Sequence, residues 1–110
     1  FGSYTGNGNA DGTFVYTGFR PAWLMIKRIA SADNWYMFDK DRLGFNVDNE
    51  QLYADTTGDE ATVELLDICS NGFKLRHAEA AVNNTSEIYI YAAFAEFPIV
   101  SSNNTPGLAR

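Results

Sequence analysis

The aromatic residues of this chain stand in short apolar blocks, and glycine, asparagine, aspartate, serine and threonine separate one block from the next. This pattern constrains the fold most, because short apolar runs divided by turn-forming residues are typical of strands joined by turns. Residues 6–12 are rich in glycine and asparagine, which tolerate positive φ and disfavour a helix. The sequence therefore predicts an all-β chain.

Seven strands are predicted, at residues 13–17, 22–29, 35–39, 52–54, 62–69, 73–76 and 87–97. Residues 22–29 carry no polar side chain before Lys27, which predicts a central strand covered on both faces. Pro21 cannot donate to a strand ladder and is expected at the entry of this strand. Residues 35–39 are expected as its hairpin partner, with aromatic pairs stacked across the two strands. Seven short strands in 110 residues favour a two-sheet antiparallel β-sandwich, jelly-roll-like, over a barrel or a helical bundle.

The connections and the chain ends complete the predicted organisation. Residues 39–50 indicate a long connection, which is unusual without a purpose, and residues 77–82 indicate one helical turn. Residues 1–110 are expected to form a single domain with a polar tail at residues 101–110. The chain starts without Met on residues typical of mid-chain, so we expect a C-terminal fragment of a longer protein.

The charge of the chain limits the partners we expect. Lysine and arginine number 8 against 14 aspartate and glutamate residues, which gives a net charge of −6 at pH 7. The electrostatic field of a chain with this negative charge repels both nucleic-acid phosphates and anionic lipid headgroups. No apolar run approaches the roughly 20 residues that a membrane-spanning helix needs. We therefore expect neither nucleic-acid binding nor membrane insertion.

Residues that carry catalysis or hold metals are sparse. His77 is the only histidine and Cys69 the only cysteine, so no cluster at metal-binding spacing exists. No serine or cysteine near His77 in sequence supplies a nucleophile, and a buried inert thiol is the expected state of Cys69. We predict no catalytic residue, no metal and no cofactor.

Close acidic pairs, Asp39 with Asp41 and Asp59 with Glu60, raise the alternative of glycoside hydrolysis. That reaction requires two carboxyl groups held about 5–10 Å apart across a cleft. Fourteen acidic residues in a small domain produce such neighbours by chance, and charged side chains are seldom fully buried. We therefore interpret both pairs as solvated loop residues and rank hydrolysis a distant third.

Residues 7–12 (NGNADG) match the first half of a calcium loop, in which alternate positions present oxygen ligands. The position that should supply the closing glutamate falls on Gly18. The match therefore predicts a glycine–asparagine turn and no strong calcium site.

Aromatic side chains are the remaining candidates for ligand contact, because flat apolar rings with a polar edge suit both carbohydrates and protein interfaces. Most of Trp35, Tyr36, Tyr53, Tyr89 and Tyr91 are expected in the core, with Trp35 at a hairpin edge the most exposed. Combined with the polar loops, the predicted ligand-binding residues are Trp35, Tyr36, Tyr53, Asn7, Asn9, Asp11 and Asp41.

Long motifs of the chain resemble a known family. The motifs are residues 1–12 (FGSYTGNGNADG), 14–22 (FVYTGFRPA), 70–76 (SNGFKLR) and 89–96 (YIYAAFAE). They resemble a module found near the C-terminus of tail-fibre and related structural proteins of tailed, especially marine, bacteriophages. The resemblance covers nearly the whole chain and implies a virion structural module with a β-sandwich fold and no catalytic residues.

The resemblance also implies location in the virion, as part of a tail fibre, and partners that are further copies in a homotrimer and other virion proteins. Our first hypothesis is a fibre tip or receptor-binding domain that contacts a host surface glycan or protein through loops 6–12, 39–50 and 77–86. Three weak sites on one trimer would gain affinity through multivalency. The alternative is a purely architectural fibre spacer or capsid decoration, which an exposed apolar patch would favour.

Overall fold

Residues 1–42 and 48–96 are described by a computed structural model of the chain. Eight strands and one short helix lie in them: β1 (Gly2–Thr5), β2 (Phe14–Tyr16), β3 (Pro21–Arg28), β4 (Tyr36–Asp39), β5 (Asp48–Tyr53), β6 (Ala61–Cys69), β7 (Gly72–Leu75), α1 (Ala80–Asn83) and β8 (Ile88–Ala95). No helix among these residues has the length and apolar character that crossing a bilayer requires.

The eight strands pair into one antiparallel sheet in the order β1-β8-β3-β4-β5-β6-β7-β2. β5 pairs with β4 on one side and with β6 on the other, so pairing continues from one edge to the other without a break. The sheet is nearly closed into a barrel, and the Thr13 hydroxyl donates to the carbonyl O of Thr5 at 2.8 Å between its two edges. The predicted all-β antiparallel class is confirmed, whereas the division into two separate sheets is not.

Irregular pairing marks the places where the sheet bends. The register shifts between Pro21 and Trp23 against β8, and between Asp48 and Glu50 against β6. Such irregularities bend a strand and increase its twist. The sequence does not reveal this curvature, because alternation predicts strands but not how a sheet closes.

Each of the seven predicted strands corresponds to a strand of the structure. Pro21 begins β3, and β4 is the hairpin partner of β3 as expected. β1 is the strand that the sequence does not predict, because only Tyr4 of its four residues is buried. The sequence therefore locates strands well where apolar residues are dense.

Aromatic stacking across the β3–β4 hairpin is where the strand prediction is wrong. Trp23 lies opposite Asp39, and its ring contacts Phe94 of β8, with centroids 5.5 Å apart. Tyr36 contacts Tyr53 of β5 with centroids 4.9 Å apart. The hairpin register places each aromatic residue opposite a non-aromatic one, so the rings find partners on the next strands.

The connections differ from their predicted bounds. β5 begins at Asp48, so the connection after β4 is shorter than residues 39–50. The predicted helical turn is present as α1. It begins and ends later than residues 77–82, and Asn83 is its last residue. The predicted tail at residues 101–110 lies outside the described residues.

Tyrosines in the core fasten α1 to the sheet. Tyr4 and Tyr89 stack with ring centroids 5.1 Å apart. The Tyr4 hydroxyl donates to the carbonyl O of Val82, and the Tyr89 hydroxyl donates to the carbonyl O of Ala80, both at 2.6 Å. Burial raises the pKa of both phenols, so each is a neutral donor. One tyrosine of β1 and one of β8 therefore point inward, where carbonyl groups of α1 accept from their hydroxyls.

Candidate functional site

The predicted binding loop at residues 6–12 is organised around one buried side chain, Asn83. The Asn83 amide nitrogen donates to the carbonyl O of Asn9 at 2.8 Å and of His77 at 2.9 Å. It also lies 3.2 Å from Oδ1 of Asn7, and Oδ1 of Asn83 accepts from the backbone N–H of Asn7 at 3.0 Å. Asn83 is completely buried, so it connects loop 6–12 to α1 and the preceding segment from within.

The polar side chains of the loop are engaged with the loop itself. Oδ1 of Asn7 accepts from the N–H of Asn9, and Oδ1 of Asn9 accepts from the N–H of Asp11, both at 3.0 Å. The Asn7 amide nitrogen donates to the carbonyl O of Asp11 at 3.0 Å. These are consecutive Asx-type turns. The structure thus brings Asn7, Asn9 and Asp11 together, but the side-chain amides of Asn7 and Asn9 are bonded to the loop backbone.

A close approach explains the glycine at position 8. Gly8 has φ of +66°, and a Cβ there would lie 2.1 Å from Oγ1 of Thr85. The Gly8 N–H donates to the carbonyl O of Asn83 at 2.8 Å. Loops 6–12 and 77–86, which the sequence analysis proposes as separate contact loops, therefore pack against each other as one unit.

Asp11 points away from this unit and forms an ion pair. Its Oδ1 lies 2.7 Å from Nζ of Lys74, and this hydrogen bond lowers the pKa of the Asp11 carboxyl. Within the described residues there is no group of three or more histidine, cysteine, aspartate or glutamate side chains that could hold a metal ion. The loop geometry agrees with a glycine–asparagine turn.

Asp41 lies at the opposite end of the sheet from loop 6–12. The start of β8 pairs with Thr5, just before that loop, whereas the end of β8 pairs with Pro21. Lys40, next to Asp41, bonds to the carbonyl O of Ala22 through its backbone N–H. The predicted contact loops are therefore split between two ends, and residues 43–47 of loop 39–50 lie outside the described residues.

Three of the four acidic residues considered for hydrolysis are engaged in local contacts. Oδ1 of Asp39 accepts from the N–H of Asp41 at 2.9 Å, and Oδ1 of Asp41 lies 2.8 Å from Nζ of Lys40. Glu60 forms an ion pair with Arg42. Such contacts are typical of solvated surface carboxylates.

The three predicted aromatic residues differ in exposure: Tyr36 is buried, Tyr53 is half-buried and Trp35 is exposed. Tyr36 is buried, and its ring meets that of Tyr53 edge-on. Burial and the adjacent Tyr53 raise the pKa of the Tyr36 phenol, and the Tyr53 hydroxyl accepts from the Gln51 amide at 3.1 Å. Trp35 keeps 37% of its surface exposed. Of the three, Trp35 alone offers a large accessible face.

Trp35 borders a shallow groove on the outside of the sheet. The groove has a volume of ≈ 170 Å³ and is lined by Phe1, Met25, Lys27, Trp35, Ile90, Tyr91 and Ala92. The Lys27 ammonium donates to the carbonyl O of Arg28 and of Ser31, both at 2.8 Å. The lining is therefore apolar, with the one lysine held by backbone carbonyls.

This groove belongs to a larger apolar surface, which we call the outer apolar face. It consists of exposed side chains on the outside of β1, β8, β3 and β4 and on their connections: Phe1, Ile29, Trp35, Ile88, Ile90 and Phe94. They are six of the eight exposed large hydrophobic residues in the described part of the chain, and Phe14 and Tyr16 on β2 are the other two. The outer apolar face is the feature that the sequence analysis misses, although the Ile-Tyr alternation of β8 signals two apolar faces.

The outside of β6 and β7 has a different character. Lys74 bonds to Asp11, and Arg76 lies 3.4 Å from Asp67. Glu64 is also exposed on this side. The outside of β6 and β7 thus carries charged side chains, whereas the outside of β1, β8, β3 and β4 carries most of the exposed large apolar ones.

Comparison with known proteins gives one family and no individual relative. A family model described as a domain of unknown function, DUF7483, matches residues 1–98. No curated protein matches the chain, and no solved structure does. The matched residues include every strand from β1 to β8, so the family's domain is the sheet described above.

Proposed function

The chain belongs to the DUF7483 family, and we propose that it is a non-enzymatic structural module of a bacteriophage tail fibre that packs against other protein through its outer apolar face. The observation that carries this proposal is the collection of six exposed large apolar side chains on one half of the sheet. The virion context rests on the resemblance of residues 1–12, 14–22, 70–76 and 89–96 to tail-fibre modules.

The size of the face supports contact with protein. Taking roughly 200 Å² for a fully exposed large residue, the exposed fractions of the six residues correspond to on the order of 650 Å² of accessible surface, backbone atoms included. The largest apolar patch of a typical monomer is roughly 300–600 Å², and larger ones mark interaction sites. A face of this size therefore favours an interface over a bare surface.

The polar loops are weak candidates for ligand binding, because their side chains already have partners within the chain. The amide groups of Asn7 and Asn9 hold loop 6–12 together, and Asp11 and Asp41 each pair with a neighbouring lysine. A sugar hydroxyl that binds these exposed groups has to replace the internal bonds that they already make, which reduces the net gain from each new hydrogen bond. Among our two hypotheses, the fibre spacer or decoration module is therefore favoured over the tip.

Location in the virion is tested by labelling. An antibody raised against the purified chain is applied to intact phage particles and detected by immunogold electron microscopy. We expect gold on the tail fibres, and prior adsorption of the antibody with the chain should remove it. Particles that contain the full-length protein by mass spectrometry but bind gold elsewhere, or particles that lack the protein, would contradict the proposal.

A receptor-binding tip remains the second candidate, and Trp35 is the observation that favours it. The indole borders the groove with 37% of its surface exposed, which suits stacking on a sugar ring. Retention of the chain on intact host cells or lipopolysaccharide, reduced about tenfold or more by Trp35→Ala, would support this role. The matched control is Tyr16→Ala, which removes an exposed ring from β2. Equal retention of both variants, or none of the wild type, would exclude Trp35 as a receptor contact.

A further inference from the structure

We propose that the partner of the outer apolar face is a protein surface that carries lysine or arginine around an apolar centre. This inference rests on the proposed function, because it gives the chemistry of the partner that packs on that face. Three observations carry it: the excess of carboxylates at the margins of the face, their arrangement around the apolar side chains, and the net charge of the chain.

Two carboxylates share one cation at the end of the face where β8 begins. The Arg28 guanidinium lies 3.1 Å from Oδ2 of Asp33 and 3.3 Å from Oε1 of Glu87. Glu87 directly precedes the exposed Ile88, and the exposed Ile29 follows Arg28. One positive charge offsets only one of the two negative charges, so negative charge is in excess where these isoleucines meet solvent.

The end of the face where β8 ends repeats this arrangement. Nζ of Lys40 lies 2.8 Å from Oδ1 of Asp41 and 3.2 Å from Oε1 of Glu96, and Glu96 follows the exposed Phe94 by two positions. The two carboxylate side chains are 78% and 48% exposed, whereas the Lys40 side chain is 17% exposed. The negative charges are therefore accessible to a partner, and the positive charge is largely covered.

Two further carboxylates border the face on the side of β4. Asp39 lies opposite Trp23, which in turn lies opposite Phe94, so these three side chains form one row across β4, β3 and β8. Oδ1 of Asp55 accepts from the backbone N–H of Trp35 at 3.0 Å, and Oδ1 of Asp39 accepts from another backbone N–H at 2.9 Å. Both partners are neutral and leave the charge of the carboxylate in place. The apolar side chains thus have carboxylates on a third side.

In the described part of the chain, carboxylates outnumber basic groups around the face. The six carboxylates belong to Asp33, Asp39, Asp41, Asp55, Glu87 and Glu96, and the four basic groups belong to Arg20, Lys27, Arg28 and Lys40. The net charge of −6 on the whole chain adds a field of the same sign. Because opposite charges steer association and like charges exclude wrong partners, the face favours a basic surface and disfavours an acidic one.

The apolar centre requires a partner that is apolar as well as basic. The accessible surface on the order of 650 Å² approaches the roughly 800 Å² that each partner buries in a standard interface. Glu87 and Glu96 flank the eight residues of β8, and a rise of about 3.3 Å per residue places them about 30 Å apart. This separation exceeds the Debye length of about 10 Å, so the partner needs basic groups at both ends of its apolar segment.

The test uses three synthetic peptides as probes, each of about 18 residues, because a helix of that length spans about 27 Å. The first carries leucine on one face and lysine on the other. The second replaces each lysine with glutamate, and the third replaces each leucine with serine. Isothermal titration calorimetry measures the binding of each peptide to the chain at low and at high salt.

Matched substitutions locate the contact. Phe94→Ser removes an exposed ring from the face, and Tyr16→Ser removes one from β2. Asp55→Asn removes one charge and keeps the oxygen that accepts from the N–H of Trp35, whereas Glu64→Gln removes one charge from the outside of β6. All four side chains are exposed, and circular dichroism verifies that each variant is folded.

We expect the leucine–lysine peptide to bind at least about tenfold more tightly than either other peptide, and high salt to weaken it. Phe94→Ser should weaken its binding about tenfold and Asp55→Asn about threefold, while Tyr16→Ser and Glu64→Gln should each change it less than about twofold. Absence of binding, equal binding of the leucine–glutamate or serine–lysine peptide, or losses of the same size in the controls would overturn the inference.

Sedimentation velocity of the chain alone examines another occupant, a second copy. Self-association that Phe94→Ser abolishes would show that a second copy covers the face, which overturns the inference. An antibody that labels tail fibres, together with a leucine–lysine peptide that does not bind, refutes the basic partner and leaves the proposed function intact. Particles without label refute the proposed function whatever the peptides do.

Discussion

Loop 6–12 and the outer apolar face differ in how available their side chains are for binding, and the difference is the reverse of what their residue types suggest. The loop is polar and exposed, yet its amides bond to its own backbone and to buried Asn83. The face is apolar, yet Ile88, Ile90 and Phe94 remain in contact with water. Whether a side chain is available for binding therefore depends on whether it already has a partner within the chain. Its polarity alone does not predict this.

Of the substitutions that test this difference, Asn83→Ala is expected to lower the free energy of unfolding most. Asn83→Ala removes the bonds that a completely buried side chain makes to the backbone of Asn7, Asn9 and His77, so we expect the free energy of unfolding to fall by about 3 kcal/mol. Urea denaturation measures it. Asn71→Ala, at an exposed turn position, is the control. If the two variants unfold alike, the loop is not held from within.

A smaller loss is expected where α1 joins the core. Tyr89→Phe removes the hydroxyl that donates to Ala80 and accepts from the N–H of Asn84 at 2.8 Å, which should cost about 1.5 kcal/mol. Tyr16→Phe serves as the matched control, because its hydroxyl is on an exposed ring. The measurement is the midpoint of urea unfolding, and equal midpoints for the two variants would show that the Tyr89 hydroxyl does not hold α1.

Acidification should affect the loop modestly through Asp11. Its folded-state pKa is lowered by Lys74, so the stabilisation is present above the ordinary carboxyl pKa and disappears as the pH falls through the lowered value. Asp11→Asn should remove this part of the decline in stability on acidification, and Lys74→Met should remove the same part. A decline below pH 4 that is identical in wild type and both variants would contradict the pairing.

The smallest effect on folding is expected on the outer apolar face. Ile90→Glu should change the free energy of unfolding by no more than about 0.5 kcal/mol, since the side chain is exposed in the single chain. Thermal unfolding of dilute protein measures it. A loss of several kcal/mol would show that Ile90 belongs to the core and that the face is not a free surface.

Much of the strand pattern is predictable from local alternation. Phe73 and Leu75 are completely buried, and Lys74 between them is not, as the sequence indicates. Alternation defines two faces but does not say which of them turns inward. On β2, which is an edge strand, the buried residue is Val15, with Phe14 and Tyr16 outside.

The candidate site is less predictable than the fold, because its decisive contacts join distant parts of the chain. Asn83 and Asn7 are 76 residues apart, and no local pattern connects them. Of the three predicted aromatic site residues, Trp35 is the most exposed, and the local signal for it is its place at a hairpin edge. The outer apolar face depends on which neighbours β8 acquires, and pairing with β1 and β3 is a property of the whole sheet.

Hydroxyl-radical footprinting of the chain, isolated and then within intact particles, tests most directly whether the outer apolar face is the working surface. Trp35, Ile90 and Phe94 should be oxidised in the dilute chain and protected in the particle. Phe14 and Tyr16, exposed on β2, should be oxidised equally in both. Protection confined to Phe14 and Tyr16, or equal oxidation of Trp35, Ile90 and Phe94 in both states, would contradict the account.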